Sequence, residues 1–399
     1  MKKYTRFFAV GMGVGLSLSS LAFAGEFVGY STLDPQNLYR VVNAHGAVVD
    51  QLQADTVKRV DLRDGYAAVQ TTFDRVSLID ETGKVLIDQV AGSQFLLSDT
   101  LLAAYLPNAM GAVYDHEGKL LYSGNFVKSI GIAKTRFAVN DTRTGIFTLY
   151  STEGQSEPTS LYTQYGVQKA LLSENFLATI GTTGMQLRDR NGSILSSDST
   201  ANSLRLSDEF AAYFDLWGTF HAFTAQGNTF TLSGIDDYGI SDSMLWVHDS
   251  TGIRVYNQAG TAIFSSGQIH AYAASHDLIA MQLNTDSLAV FNARTGQRFY
   301  LPKAENFSLT DRLVLVHNGP GQYLVYSDSG RSQLSENDST VVAASISNGL
   351  AAFQYSGLRA AKVRNASGET GVESTLLNAV QVNRIDLSAN RDELNWMAF

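Results

Sequence analysis

The stretch VAGSQFLLSDTLLAAYLPNAMGAVYDHEGKLLYSGN, Val90 to Asn125, decides the fold. Phe95-Leu96-Leu97 leads into a polar break at Ser98-Asp99, and Leu101-Leu102-Ala103-Ala104-Tyr105 follows. A second break, Pro107 to Gly111, precedes Ala112-Val113-Tyr114. The turn Asp115-His116-Glu117-Gly118 then hands over to Lys119-Leu120-Leu121-Tyr122. Four short, β-favouring runs are separated by turn chemistry, and no window shows helical periodicity.

Outward from this stretch, its last turn recurs along the chain. Asp, Asn, Ser or Thr is followed by Gly at Asn43…Gly46, Asp80…Gly83, Asp115…Gly118, Ser151…Gly154 and Asp189…Gly192. It continues at Thr224…Gly227, Asn257…Gly260, Asn292…Gly296, Ser327…Gly330 and Asn365…Gly368, with successive glycines 33 to 38 residues apart. The first break recurs as well, at Ser98-Asp99, Ser173-Glu174, Ser207-Asp208, Ser241-Asp242, Thr310-Asp311 and Ser347-Asn348. The side chain of each Asp, Asn or Ser accepts a backbone N–H two residues on, and Gly supplies the positive φ that closes a short hairpin.

A period of this size marks copied supersecondary units. Four short antiparallel strands per unit predict an all-β chain, a β-propeller of about ten four-stranded blades. Even spacing, with no linker between the fifth and sixth units, favours one closed ring over the alternative of two smaller propellers in tandem. Phe27–Tyr30 and Leu38–Val42 resemble the later strands of a unit; Arg384–Ser388 and Leu394–Met397 resemble the opening ones. Strands from the two ends are therefore expected to share a sheet and close the ring. The fourth run of each unit is the most polar (Gln155–Ser160, Arg331–Leu334), as an outer edge facing water should be.

Residues 1–24 read as a secretory signal peptide. Lys2, Lys3 and Arg6 precede the apolar run Phe7–Leu21, and Ala22-Phe23-Ala24 offers a small-x-small cleavage site. The propeller is then expected over 25–399, in the periplasm or outside the cell, and no Cys follows the cleavage site to carry a lipid. The formal net charge of −9 argues against nucleic acid as a partner. With no cysteine anywhere, disulfides, thiolate metal sites and cysteine nucleophiles are excluded.

Ser77-Leu78-Ile79-Asp80-Glu81-Thr82-Gly83-Lys84 and Val290-Phe291-Asn292-Ala293-Arg294-Thr295-Gly296-Gln297 resemble the quinoprotein-like repeat. That family has Asp, then Thr-Gly, then Trp four residues after the Gly; here the Trp position holds Ile87, Tyr122, Phe264, Tyr300 or Leu334. The resemblance implies a propeller. It implies no cofactor, because the calcium- and quinone-contacting residues of that family's enzymes have no counterpart here.

No Gly-x-Ser-x-Gly elbow, His-Glu-x-x-His pair, phosphate loop or EF-hand follows the leader. The seven histidines are scattered; His45 and His116 fall in hairpin turns, where solvated side chains are expected. On a propeller, ligands meet the loops between strands two and three and between blades. There Asp215-Leu216-Trp217-Gly218, the junction Asp236-Asp237-Tyr238-Gly239 and His248-Asp249-Ser250 come from neighbouring units. Exposed aromatics beside carboxylates suit a sugar or a peptide. The candidate ligand-binding residues are thus Asp215, Trp217, Asp236, Asp237, Tyr238 and His248. His317-Asn318-Gly319-Pro320-Gly321 is a second distinctive loop on that side. The expectation is a non-enzymatic scaffold for a protein or glycan partner in the envelope or outside the cell. The alternative is a carbohydrate-active hydrolase or lyase using Asp215, Asp236 and Asp237. Trp396 and the terminal Phe399 also raise an outer-membrane barrel, for which the runs are about half the length needed.

Overall fold

The computed structural model describes residues 27–31, 38–43, 48–53, 56–63, 65–80, 82–106, 109–154, 157–267, 269–283, 287–302, 304–310, 312–347, 350–356, 361–365, 370–374 and 396–398. The expected leader, Gly46, Gly368, His45, Asp311, Asn348, the run Arg384–Ser388, Leu394, Asn395 and Phe399 lie outside the described residues.

Every element is a strand of three to seven residues, and no α-helix occurs among the described residues. Consecutive strands pair antiparallel, so each sheet is a meander of hairpins. In chain order the sheets are 1 (Phe27–Gln53), 2 (Val57–Ala91), 3 (Gln94–Gly124), 4 (Val127–Tyr165) and 5 (Val167–Asp198). They continue as 6 (Asn202–Leu232), 7 (Ile235–Ser265), 8 (Ile269–Leu301), 9 (Asn306–Asn337) and 10 (Val341–Ser374). This is the build of propeller blades, and the chain is an all-β propeller-type repeat protein.

Ten four-stranded blades in a ring closed by the chain ends were the expectation; among the described residues the four-stranded blades number about eight, and no closed ring is formed. Eight sheets have four strands, sheet 1 has three, and sheet 4 has five. The fifth strand of sheet 4 is Trp396–Ala398, antiparallel to Val127–Ile132 with Ser129 opposite Ala398 and Gly131 opposite Trp396. The C-terminal strand thus pairs with the first strand of sheet 4. An inner edge carries unpaired N–H and C=O groups, and an extended segment satisfies them wherever it docks.

Two compact units divide the chain. One draws on Met1–Phe73, Leu78–Val85 and Ile269–Ile385; the other draws on Asp74–Ser77, Leu86–Gln268 and Asp386–Phe399. The second holds sheets 3 to 7. Its sheets stack face to face, and period two explains their near-continuous apolar runs. In Phe210–Phe214, Ala211 and Tyr213 pack on Phe176, Ala178 and Leu187 of sheet 5. Phe210 and Ala212 pack on Ile235, Leu245 and Val247 of sheet 7. Sheets 3 and 4 meet through Leu96, Leu101 and Val113 against Ile130, Phe137 and Val139, and sheets 4 and 5 through Phe147 and Leu149 against Ala170 and Leu177. In the first unit, sheets 8 and 9 meet through Leu278, Leu288 and Val290 against Val314 and Val316. The fourth strand of sheet 4 stays wet, as expected, with no buried side chain in Thr159–Tyr165, whereas Ile87, Phe264, Leu301 and Leu334 are buried on the fourth strands of sheets 2, 7, 8 and 9.

Candidate functional site

In a four-stranded meander, the first–second and third–fourth turns share one end of the sheet. The second–third turn and the sheet-to-sheet connections share the other. Both recurrent turns of the sequence fall at the first end, called here the signature end.

The signature turns consume their own polar groups. Asp115 Oδ1 accepts the N–H of Glu117 (3.0 Å) and Lys119 (2.8 Å), and Gly118 N–H donates to the Asp115 carbonyl (3.1 Å). Asp80, Asp189, Asn257 and Ser327 repeat the pattern. Gly118 is required twice over. Its φ is +85°, and a Cβ there would collide with the Leu86 carbonyl oxygen of sheet 2.

The first-break carboxylates do more than their own turns require. Glu174 accepts the N–H of Thr135 (2.9 Å); Asp208 accepts that of Glu174 (2.9 Å); Asp242 accepts that of Asp208 (2.8 Å). Sheets 4 to 7 are thereby linked turn to turn. Lys134 sits between Asp99 (3.6 Å) and Asp208 (3.4 Å), and burial together with Asp242 pushes the Asp208 carboxyl up. The buried Arg136 ties sheet 4 to sheet 5 through the carbonyls of Ser173, Phe176 (3.3 Å) and Arg190 (3.2 Å). Sequence reading missed this chain of links, because each Ser-Asp break explains itself locally as a turn. His116 also differs from expectation. It is buried beneath the Ser98–Leu101 turn rather than solvated, and burial lowers its imidazole to about 4 against the upward pull of the Leu101 backbone and Asp99.

The loop end is different. Asp215–Gly218 joins the second and third strands of sheet 6 with the same capping as a signature turn. Asp215 Oδ1 accepts the N–H of Trp217 (2.9 Å) and Thr219 (2.8 Å), and Gly218 N–H donates to the Asp215 carbonyl (3.2 Å). The loop from sheet 5 braces it: Leu216 N–H donates to Thr200 Oγ1 (3.3 Å), and Asn202 Nδ2 donates to the Asp215 carbonyl (3.3 Å). Held this way, the turn presents Leu216 (71 % exposed) and Trp217 (80 % exposed) to solvent. Asp215 Oδ2 lies 3.3 Å from His221 Nε2, whose ring stacks on Tyr213 at 4.9 Å. Burial pushes the Asp215 carboxyl up, but the hydrogen bonds from Thr219, His221 and Trp217 outweigh it and hold the group below its usual value. That is a turn cap, poorly suited to deliver a proton.

The remaining candidates open sheet 7. Ile235 pairs with Asp249 and Asp237 with His248, so Asp236 is the extra residue of a β-bulge and is exposed. Asp237 is half-buried and accepts the Tyr238 N–H (2.8 Å). His248 is half-buried directly opposite it in the register. Asp249 caps the next turn through Thr251 N–H (2.7 Å) and takes Arg254 Nη2 at 2.6 Å. Tyr238 departs from the expected exposed aromatic. It is 1 % exposed; its hydroxyl donates to the carbonyls of Ser203 and Ala212 (3.1 Å), and its ring meets Phe220 edge-on at 4.9 Å. Arg205 covers its face at 4.6 Å. It packs sheet 6 against sheet 7.

Phe126 and Tyr165 (74 % exposed) also stand at the loop end, on the connections into sheets 4 and 5. The sequence carries a signal for Phe126: it precedes Val127 where Gly166 and Gly234 precede Val167 and Ile235. In the other unit, His317 stacks on Tyr323 at 4.7 Å beneath the Gly319–Gly321 turn of sheet 9. Among the described residues no group of three or more His, Asp or Glu is placed to hold a metal ion, and no helix is long and apolar enough to cross a membrane.

No protein-family model matches the chain, and no curated protein matches it. Solved structures similar to it include propeller-like proteins. A eukaryotic initiation factor matches with a TM-score of 0.48 and 13% identity, over 90% of this chain and 98% of its own. BamB from Moraxella catarrhalis matches at 0.33 and 13%, over 81% and 97%. Hsv2 of Kluyveromyces lactis matches at 0.33 and 12%, over 61% and 97%. These scores carry no functional inference.

Proposed function

We propose that this chain is exported by its N-terminal leader and works in the periplasm or outside the cell as a non-enzymatic scaffold. It would capture a protein or glycan partner through the loop end of sheets 3 to 7. The observation that carries this reading is the division of labour between the two ends. Signature-end polar groups are spent on turns and sheet-to-sheet links, whereas the loop end spends a fully capped Asp-x-x-Gly turn on displaying Leu216 and Trp217. A tryptophan so exposed is costly to keep unless a partner covers it, and such rings dominate binding at interfaces. The carboxylates nearby favour capture over hydrolysis: Asp215 caps its turn and stays ionised, and Asp237 accepts a backbone N–H.

The test uses the full chain, immobilised and exposed to the envelope fraction of its own cell and to a glycan library. Trp217→Ala is expected to lose a defined captured partner while unfolding as wild type does. Turnover of any glycan by the wild type, abolished in Asp236→Asn, would replace the scaffold with the hydrolase. N-terminal sequencing of the secreted protein should begin at Gly25; an intact Met1 refutes export by this leader.

A further inference from the structure

Phe126 breaks a local rule. Its φ is +65°, a region that β-unbranched but bulky residues avoid, and the equivalent positions before sheets 5 and 7 are Gly166 (+72°) and Gly234 (+71°). The Phe126 carbonyl accepts both the Thr142 N–H (2.6 Å) and the Thr142 hydroxyl (2.8 Å); the carbonyls of Thr56 and Thr340 accept the matching N–H of Thr72 (2.7 Å) and Ser356 (2.6 Å) without a positive φ. The ring is 49 % exposed, with the Arg143 guanidinium 5.5 Å from its centroid. A glycine would adopt this φ without the steric cost of a side chain.

The surroundings say what the ring is for. Lys128 is the half-buried bulge residue two positions on, Arg143 is exposed on the adjacent turn, and Lys169 is exposed on the first strand of sheet 5. The carboxylates at this end of the two sheets, Asp141 and Asp198, cap their own turns through Thr144 (2.8 Å) and Thr200 (2.7 Å). Thr142, Gln168, Thr182 and Thr183 stand exposed around them. On a chain of net charge −9, this end of sheets 4 and 5 carries cations, open rings and hydroxyls, with Phe126 at the first strand of sheet 4 and Tyr165 at its fourth.

We infer that the loop end of sheets 4 and 5 binds an anionic polysaccharide, a chain of uronic acid sugars, with Phe126 and Tyr165 stacking on pyranose faces and Lys128, Arg143 and Lys169 meeting the carboxylates. This deepens the capture reading above and rests on it. Sugar C–H faces fit aromatic rings, uronate carboxylates supply the charge complement, and hydroxyls and amides complete the hydrogen bonds. An extended acidic peptide is disfavoured because the ends of sheets offer no strand edge to extend.

The experiment is affinity electrophoresis of the full chain in polygalacturonate, with dextran and polyglutamate as comparison gels. Binding to polygalacturonate but not dextran is expected, weakening between about 0.05 and about 0.5 M salt as the Debye length shrinks from about 14 Å to about 4 Å. Phe126→Gly should weaken binding about tenfold while leaving the urea midpoint at or above wild type, and Phe126→Trp should retain it. Lys128→Gln with Arg143→Gln should lose it. Equal retardation in dextran, polyglutamate binding that survives Phe126→Gly, or no retardation in polygalacturonate each overturns the assignment. In those cases, continued loss of partner capture in Trp217→Ala leaves the scaffold standing, whereas unchanged capture brings down both.

Discussion

Lowering the pH from 7.5 to 5.0 should weaken the unit that contains His116, through that one imidazole. The ring is 8 % exposed, and burial holds its folded value at about 4 against an ordinary 6.5. A histidine lowered in this way stabilises the fold fully above pH 6.5 and loses the contribution as pH falls towards 4. At pH 5 the unfolded imidazole is almost wholly protonated and the folded one almost wholly neutral. The linkage then removes about 2 kcal/mol of the roughly 3 kcal/mol that the full shift represents. For a unit of about 200 residues that is a fall of about 4–8 °C in melting temperature. Two carboxyls of the same unit act with the opposite sign. Asp208 and Glu209 are pushed up by burial and by Asp242, so they favour the folded state as pH falls. The informative quantity is therefore the difference between two differences. Melting followed by circular dichroism at both pH values, for wild type and His116→Gln, should show wild type losing about 2 kcal/mol more than the variant. Equal losses in the two proteins would refute the assignment of a buried neutral imidazole at the Ser98–Leu101 turn.

Trp217→Ala should cost less than about 0.5 kcal/mol in urea unfolding, since the ring is almost free of neighbours; a larger cost would place it in the core. Gly118→Ala should cost more than about 1 kcal/mol, because it forces an L side chain to positive φ and into the Leu86 carbonyl; an unchanged denaturation midpoint contradicts that contact. Tyr238→Phe should destabilise by about 1–3 kcal/mol, leaving the carbonyls of Ser203 and Ala212 without the phenol, and should not touch partner capture. A capture defect in Tyr238→Phe with normal stability would restore it to the binding face.

The repeat was legible because turn chemistry is local. Asp115 and Gly118 need only each other and the next few backbone groups, so the same letters return wherever the same hairpin does. Four-stranded sheets follow from that spacing. What the letters could not reveal is where a locally satisfied group is used a second time: Asp208 caps nothing visible in its own sequence window that demands a link to Glu174, yet it accepts that amide at 2.9 Å. Nor could they separate Tyr238 from Trp217. Both lie beside aspartates near glycines, but Tyr238 stands on a strand whose alternation turns it into the sheet 6–sheet 7 interface, whereas Trp217 sits at a turn tip where no alternation applies. The docking place of the C-terminal strand is illegible for a related reason, since an open sheet edge specifies a strand but not whose. Phe126 shows the converse. It takes the positive φ that Gly166 and Gly234 take at the matching position, where Thr56 and Thr340 stand without one, so comparing the copies picks out a bulky residue held in a glycine-like conformation. In a repeat protein the residues that agree build the scaffold, and those that disagree at a fixed backbone position are where recognition has to be sought.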